Sequence, residues 1–299
     1  MKQMKNNAML LLAAFIWGCA FVAQSVGMEY VGPFTFNAVR NYIGALILIP
    51  VIFLMDGLKR RGGMSEAEVK AQRGDTRTLV LGGVCCGVVL AVAGSLQQYG
   101  LLFTTVGKAG FITAMYIVLV PIFNSFFGKK VRPLIVLCVL ISVAGLYFLC
   151  MTEEFRLGTG DLLVLLCAVG FTGHILVIDY FSPKVDGVRM SCIQFLTAGI
   201  LCSVPMLIGE APKLSDILAA AAPILYAGVM SSGVGYTLQI LGQKDADPTV
   251  ASLLLSLESV FSVLAGWVIL GQSLNGKEIF GCVLMFTAII LAQLPERKQ

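Results

Sequence analysis

The sequence predicts an all-α polytopic membrane protein with ten transmembrane helices, arranged as two inverted five-helix repeats. Three observations predict it: a composition too apolar for water, ten apolar segments long enough to span a bilayer, and weak similarity between the two halves. The chain of 299 residues is 58% hydrophobic and 13% charged, where soluble domains carry roughly 45–50% and 25%. Spanning a hydrocarbon core takes about 20 apolar residues as helix, because lipid offers no partner for a free backbone group. Ten segments meet that length, at 8–26, 33–55, 79–102, 105–127, 132–150, 160–181, 190–209, 217–241, 248–270 and 275–293.

The first segment follows Lys2 and Lys5, as a secretory signal would. It is too long for the apolar stretch of such a signal and lacks a polar region with a small-residue cleavage site, so it reads as a spanning helix. Between the second and third segments lies the only long loop, 56–77, where Gly62, Gly63, Ser65, Glu66, Glu68 and Lys70 read as a solvated, partly helical cytoplasmic connector. The remaining loops are short.

Lys and Arg are retained on the cytoplasmic side of a membrane. With the N-terminus inside, sixteen of the 21 basic residues fall on inner segments and three, Arg156, Lys213 and Lys277, on outer loops. Arg40 and Lys108 lie within predicted spans. This asymmetry places both termini in the cytoplasm and requires an even helix count. The net charge of +4 is spread over short loops and gives no reason to expect a nucleic-acid partner.

Sliding the first half by 154 residues lays Leu12-Ala13-Ala14-Phe15 on Leu166-Cys167-Ala168-Val169 and Arg40 on Gln194. Sliding it by 142 lays Gln97 on Gln239, Gly100 on Gly242 and Tyr116 on Glu258. The offsets differ because the 56–77 loop is longer than its counterpart. The expected units are 1–151 and 152–299. Five helices per unit is odd, so the second enters the membrane inverted, an arrangement used by carriers that open a midplane site to each side in turn.

Three stretches resemble EamA-type proteins of the drug/metabolite transporter superfamily. They are Trp17-Gly18-Cys19-Ala20-Phe21, Lys108-Ala109-Gly110-Phe111 leading to Pro121, and Ser256-Leu257-Glu258-Ser259-Val260 through Gly266-Trp267 to Leu270-Gly271. The chain departs from the family pattern at Ser259, where a proline is usual, and at Gln272, where a glutamate is usual. The resemblance implies a central cavity lined by helices one to four and six to nine, with helices five and ten peripheral. It also implies export or exchange of small metabolites such as amino acids across the plasma membrane, driven by ion or solute gradients.

An ionised side chain at bilayer centre costs roughly 2.5–3.5 kcal/mol on insertion scales, so each one calls for a reason. Glu258 lies ten residues from the inner end of segment nine, near the midplane, with Ala251, Ser262 and Ala265 on its face. A buried carboxylate there could couple proton uptake to solute movement, or could serve as a structural bond. Arg40, with Asn37, Asn41 and Gly44 beside it, could bind a solute carboxylate, pair with Glu258 or snorkel outward. Gln97, Tyr116, Trp17 and His174 complete the expected substrate-binding or coupling residues, each weighed against ordinary packing.

Nine cysteines show no CxxC spacing and there is one histidine, so neither a disulfide framework nor a metal site is expected. No Walker loop, HExxH or nucleotide fingerprint occurs, and no cofactor is expected. The expected partners are a small-molecule solute, the lipid bilayer and a coupling proton or ion, with the protein a monomer or homodimer. A secondary transporter working by alternating access is the leading expectation. A channel or non-transporting scaffold comes second, and an intramembrane enzyme, which would need paired carboxylates or a Ser/His arrangement, is third.

Overall fold

The computed structural model describes residues 2–104, 106–126, 128, 131–150, 158–244, 246–270 and 275–292. Among these residues all regular structure is helical. The long elements are α1 (Lys2–Gly27), α2 (Pro33–Arg61), α4 (Thr76–Gly100), α7 (Pro133–Cys150), α8 (Thr159–Phe181), α9 (Gly187–Pro205) and α15 (Gly276–Ala292). The connector holds α3 (Glu66–Ala71), started by a capping box in which Ser65 and Glu68 exchange bonds.

Among the described residues eight helical stretches are long and apolar enough to cross a membrane: Gln3–Gly27, Pro33–Arg61, Thr76–Gly100, Ala109–Phe126, Thr159–Phe181, Gly187–Glu210, Ala221–Gln243 and Pro248–Ile269. The helix Pro133–Phe148 is apolar but shorter. The chain is therefore a multi-pass membrane protein. Large apolar side chains such as Phe53, Phe126, Ile208 and Val268 are exposed on the outside of the bundle, as expected of a surface that meets acyl chains.

Several predicted spans are not the uniform helices the apolar runs suggested. The segment at 105–127 is two helices, α5 (Val106–Thr113) and α6 (Tyr116–Phe126), and that at 248–270 is α13 (Pro248–Leu255) and α14 (Glu258–Leu270). At both breaks the backbone tightens to bonds three residues back: Met115 to Ile112 and Ile117 to Ala114 in one, Leu257 to Leu254 and Ser259 to Ser256 in the other. In the second the Ser256 hydroxyl also donates to the Leu253 carbonyl at 2.8 Å, competing with the helical ladder. The segment at 217–241 is α10 (Leu214–Ala219), α11 (Ala221–Leu225), a π-helical stretch Tyr226–Tyr236 and α12 (Thr237–Gln243). Segment 190–209 begins three residues earlier, as α9, and ends in a π turn, Met206–Glu210.

Pairwise helix packing positions the interior. α4 lies against α8 and α9, α2 against α9 and the π stretch, α1 against α14 and α12, and α7 against α15. Glycines set the closest crossings. A Cβ on Gly87 would stand 2.6 Å from the Gln194 carbonyl, and one on Gly18 would stand 2.8 Å from the Glu258 carbonyl. The Trp17-Gly18 pair thus brings α1 onto the start of α14.

Candidate functional site

At the centre of the bundle is a cavity with about 480 Å³ of atom-free space, the opening at its mouth included. α1 contributes Trp17, Ala20, Phe21 and Gln24 to it, α2 Arg40 and α4 Gln97. Thr113 and Tyr116 enter from either side of the α5–α6 break, Leu255 and Glu258 from either side of the α13–α14 break. Phe171 and Ile175 of α8, Ser231 and Tyr236 of the π stretch, and Gln239 of α12 close the wall.

The two broken helices meet inside this cavity. The Tyr116 hydroxyl donates to Glu258 Oε1 at 3.0 Å, and each residue is the first of the helix after its break. The backbone bonds run on through both breaks in tightened form, Ile117 and Val118 bonding Ala114 and Met115, and Ser259 bonding Ser256, so the breaks redirect the helices while keeping their first turns satisfied.

Arg40 occupies another part of the wall. Its Nη1 donates to Gln24 Oε1 at 3.3 Å, and Gln24 is oriented by its own amide bonding to the Ala20 carbonyl at 3.3 Å. Arg40 is 3% exposed and its Nε has no partner. Among the described residues the ion pairs are Lys59–Asp186, Arg60–Glu66, Arg73–Asp56 and Arg189–Asp56, so no carboxylate lies within 4.0 Å of Arg40. The expected alternative of an Arg40–Glu258 pair is not what forms. Tyr236 lines the same cavity as both. Its ring packs on Trp17 at 4.5 Å between centroids, and the Trp17 indole N–H donates to the Ser231 carbonyl at 3.3 Å.

Of the residues singled out in the sequence, Glu258, Arg40, Tyr116, Trp17 and Gln97 line the cavity. Asn37, Asn41, His174 and Ser262 do not. Asn37 spends its amide on the Gly94 carbonyl at 3.1 Å, gluing α2 to α4. Ser262 bonds back to Ser259 at 2.8 Å within α14. Asn41 is 3% exposed with its Oδ1 unbonded. His174 bonds Gln194 at 2.9 Å, behind the wall. α9, the seventh long segment, was expected to line the cavity and contributes nothing to it; its Phe195 packs instead on Tyr236, which does line the cavity, with rings 5.8 Å apart. Gln97 donates to Thr113 at 3.1 Å, so it both faces the space and joins α4 to α5.

Gln24, Thr113, Ser231, Gln239 and Tyr236 also line the cavity and were not among the expected site residues. A glutamine in the apolar run of α1 was a usable signal. The side chain of Lys108, and the Gly271-Gln272 departure, lie outside the described residues. No cluster of three metal-ligating side chains occurs among the described residues.

The EamA-like transporter family model matches residues 4–151 and again 158–294. An uncharacterized transporter of Archaeoglobus fulgidus is 28% identical over 294 residues, covering 98% of this chain and 87% of its own. The uncharacterized transporter YoaV of Bacillus subtilis is 22% identical, covering 94% of each chain, and a chloroplastic WAT1-related protein of Arabidopsis thaliana is 24% identical over 96% of this chain and 69% of its own. A solved crystal structure superposes with a TM-score of 0.77 at 19% identity, covering 96% of both chains, and shares the fold. A multi-pass helical bundle around a polar cavity, matched along nearly its whole length by one family of transporters, leads to one conclusion: the chain belongs to the EamA-like transporter family.

Proposed function

We propose that this protein is a secondary active transporter that exports or exchanges an amino acid or related small metabolite across the plasma membrane by alternating access. The observation that carries the reading is a buried guanidinium with no carboxylate partner among the described residues, sharing one cavity with a carboxylate that accepts from Tyr116. An uncompensated buried charge is strongly destabilising. A solute carboxylate at Arg40 and a solute ammonium near Glu258 would compensate both. The aromatic wall of Trp17, Tyr236, Phe171 and Phe21 would take its apolar part.

Alternating access fits two inverted repeats, 1–151 and 152–299, of five spans each, ten in all with α7 and α15 as the fifth and tenth. The two separate matches to one family model support this division. So does the cavity wall: an offset of 154 residues relates Trp17 to Phe171 and Phe21 to Ile175, and an offset of 142 relates Gln97 to Gln239, Thr113 to Leu255 and Tyr116 to Glu258. The excess of basic residues on inner loops supports cytoplasmic termini.

The test is counterflow of radiolabelled amino acids in proteoliposomes at two pH values. Wild type should show saturable counterflow that depends on pH, and Glu258→Gln should keep counterflow while losing that dependence. Arg40→Gln should raise KM for carboxylate-bearing solutes by at least about tenfold, the worth of a charge-assisted hydrogen bond, and spare amines without one. Non-saturable flux would mean a channel, and no flux a scaffold. Unaltered pH dependence in Glu258→Gln would remove the coupling role.

A further inference from the structure

The cavity wall holds two glutamines with unlike surroundings. Gln97 of α4 and Gln239 of α12 both line it, and the offset of 142 sets one opposite the other. Gln97 donates from Nε2 to the Thr113 hydroxyl at 3.1 Å, and Thr113 is the last residue of α5 before its break. The residue opposite Thr113 is Leu255, the last of α13 before its break and also part of the wall. A leucine side chain neither gives nor takes a hydrogen bond. Gln239 therefore lacks the partner that its counterpart has: its side chain makes no hydrogen bond among the described residues, and its Oε1 is buried without one. Other unlike pairs, Arg40 opposite Gln194 and Ala20 opposite His174 at an offset of 154, have one member outside the cavity. Here both members line it.

Amides within spans commonly join helices, as those of Asn37 and Gln97 do. Gln239 joins nothing. It is 2% exposed and lines the cavity, so the space beside it is the cavity itself. A buried amide with no partner in the fold is less favourable than an apolar side chain of the same shape. Only a group that arrives in the cavity satisfies it.

The chemistry of that group follows from the amide. One end of it donates and the other accepts, and a half-turn of the amide exchanges the two. It carries no charge, and neither does its neighbour in the wall, Leu255. The complementary group is therefore neutral and gives or takes a hydrogen bond, as a carboxamide or a hydroxyl does. The charged residues of the wall, Arg40 and Glu258, are engaged on the transport reading by the solute's own carboxylate and ammonium. Gln239 is left for the side chain.

We infer that Gln239 is a specificity-determining residue, which binds a neutral polar group on the solute's side chain and makes the carrier select it over an apolar isostere. The inference rests on the transport reading and deepens it, narrowing the solute to amino acids with uncharged polar side chains. An isostere without the polar group leaves the amide unpaired in a wall sealed from water, and sites built that way reject such analogues.

The test is counterflow in proteoliposomes of the purified protein with two pairs of similar shape, asparagine against leucine and glutamine against methionine. The members of each pair share their carboxylate and ammonium, so damage at Arg40 or Glu258 moves both alike. Wild type should favour the carboxamide member in KM. Gln239→Met, which keeps the length of the side chain, should lower that preference about five- to tenfold, the worth of one uncharged hydrogen bond. Leu255→Thr is measured beside it, so that one folding defect does not decide the result. It gives Gln239 the partner that Gln97 has and should lower the preference in the same direction. Unaltered KM ratios in Gln239→Met, or equal losses for both members, overturn the inference. So does a wild type that takes the apolar member as readily, or takes neither carboxamide. Where Gln239→Met gives no flux, an unaltered ratio in Leu255→Thr overturns it. Those outcomes leave the transport reading standing, whereas no counterflow of any amino acid in wild type refutes that reading and the specificity role with it.

Discussion

The start of α2 is capped by a residue from the turn that follows α9, and that cap can be measured. The first turn of a helix exposes four backbone N–H groups. The ladder begins with Phe36, which bonds the Gly32 carbonyl at 2.9 Å; of the residues before it Pro33 has no N–H, and those of Phe34 and Thr35 go to Glu210 at 2.8 and 2.7 Å. The Thr35 hydroxyl adds a third bond to the same carboxylate at 2.6 Å. Gly32, the N-cap, has no side chain of its own to offer, and a Cβ there would lie 2.5 Å from both carboxylate oxygens. Glycine is thus what lets Glu210 in. A hydrogen bond to a charged group is worth about 1.5–3 kcal/mol. Glu210 is half-buried, so discounting each bond to about 1 kcal/mol gives a loss of about 3 kcal/mol for Glu210→Ala. Gly32→Ala, which displaces the carboxylate, should cost about 2 kcal/mol alone but only a few tenths in the Glu210→Ala background. The expected coupling is therefore about 2 kcal/mol. Equilibrium unfolding of the four proteins in mixed detergent micelles measures it. Additive losses, or a Glu210→Ala loss below about 0.5 kcal/mol, would refute the reasoning.

Asp56, 154 residues before Glu210, holds the other end of the same helix pair: its Oδ2 accepts from Arg73 at 2.9 Å and from Arg189, near the start of α9. Asp56→Asn should cost about 1–2 kcal/mol in the same unfolding assay, discounted from the buried-pair range because both arginines are partly exposed, and a loss below about 0.5 kcal/mol would show the cluster to be ornamental. In the connector, the Ser65 backbone N–H and then its hydroxyl hold the Glu68 carboxyl below its ordinary range. A depressed value stabilises above the ordinary Glu range near 4.3 and is lost as pH falls through the lower folded value. Exchange protection of α3 amides, corrected for intrinsic rate, should therefore hold from pH 7 to about 5 and fall only below about 4. Protection lost between pH 7 and 5 would contradict it.

The apolar runs made the bundle legible, because a chain in lipid must satisfy its own backbone and leaves long unbroken signatures. Part of the polar wall of the cavity was legible: Arg40, Glu258, Tyr116, Trp17 and Gln97 all reach it, and a charge in a span is costly enough to announce itself, whereas the uncharged Gln24, Thr113, Ser231, Gln239 and Tyr236 were not singled out. The apolar wall was not legible. Phe21, Phe171, Ile175 and Leu255 differ in no way, as letters, from residues that face acyl chains. Asn37 misled for the opposite reason, since an amide that joins two helices has the same sequence signature as one that meets a solute. The breaks escaped notice because neither Ala114-Met115 nor Ser256-Leu257 contains Gly or Pro, the usual marks of an interrupted helix. Only the Ser256 hydroxyl, bonded to its own helix, gives a local cause.

On the reading of two inverted repeats, the breaks acquire a common meaning. They fall 142 residues apart, the same separation as the Tyr116–Glu258 bond that joins them. Repeat-related backbones can exchange conformations at little net cost, so two arrangements of the bundle differ mainly by what their side chains do. Those side chains are unlike: tyrosine opposite glutamate, arginine opposite glutamine, alanine opposite histidine. A ligand shifts such an equilibrium only by its differential affinity for the two states. The residues that break the symmetry are therefore where solute or proton can bias the carrier, and Glu258, Arg40 and His174 hold the charged or titratable member of each pair.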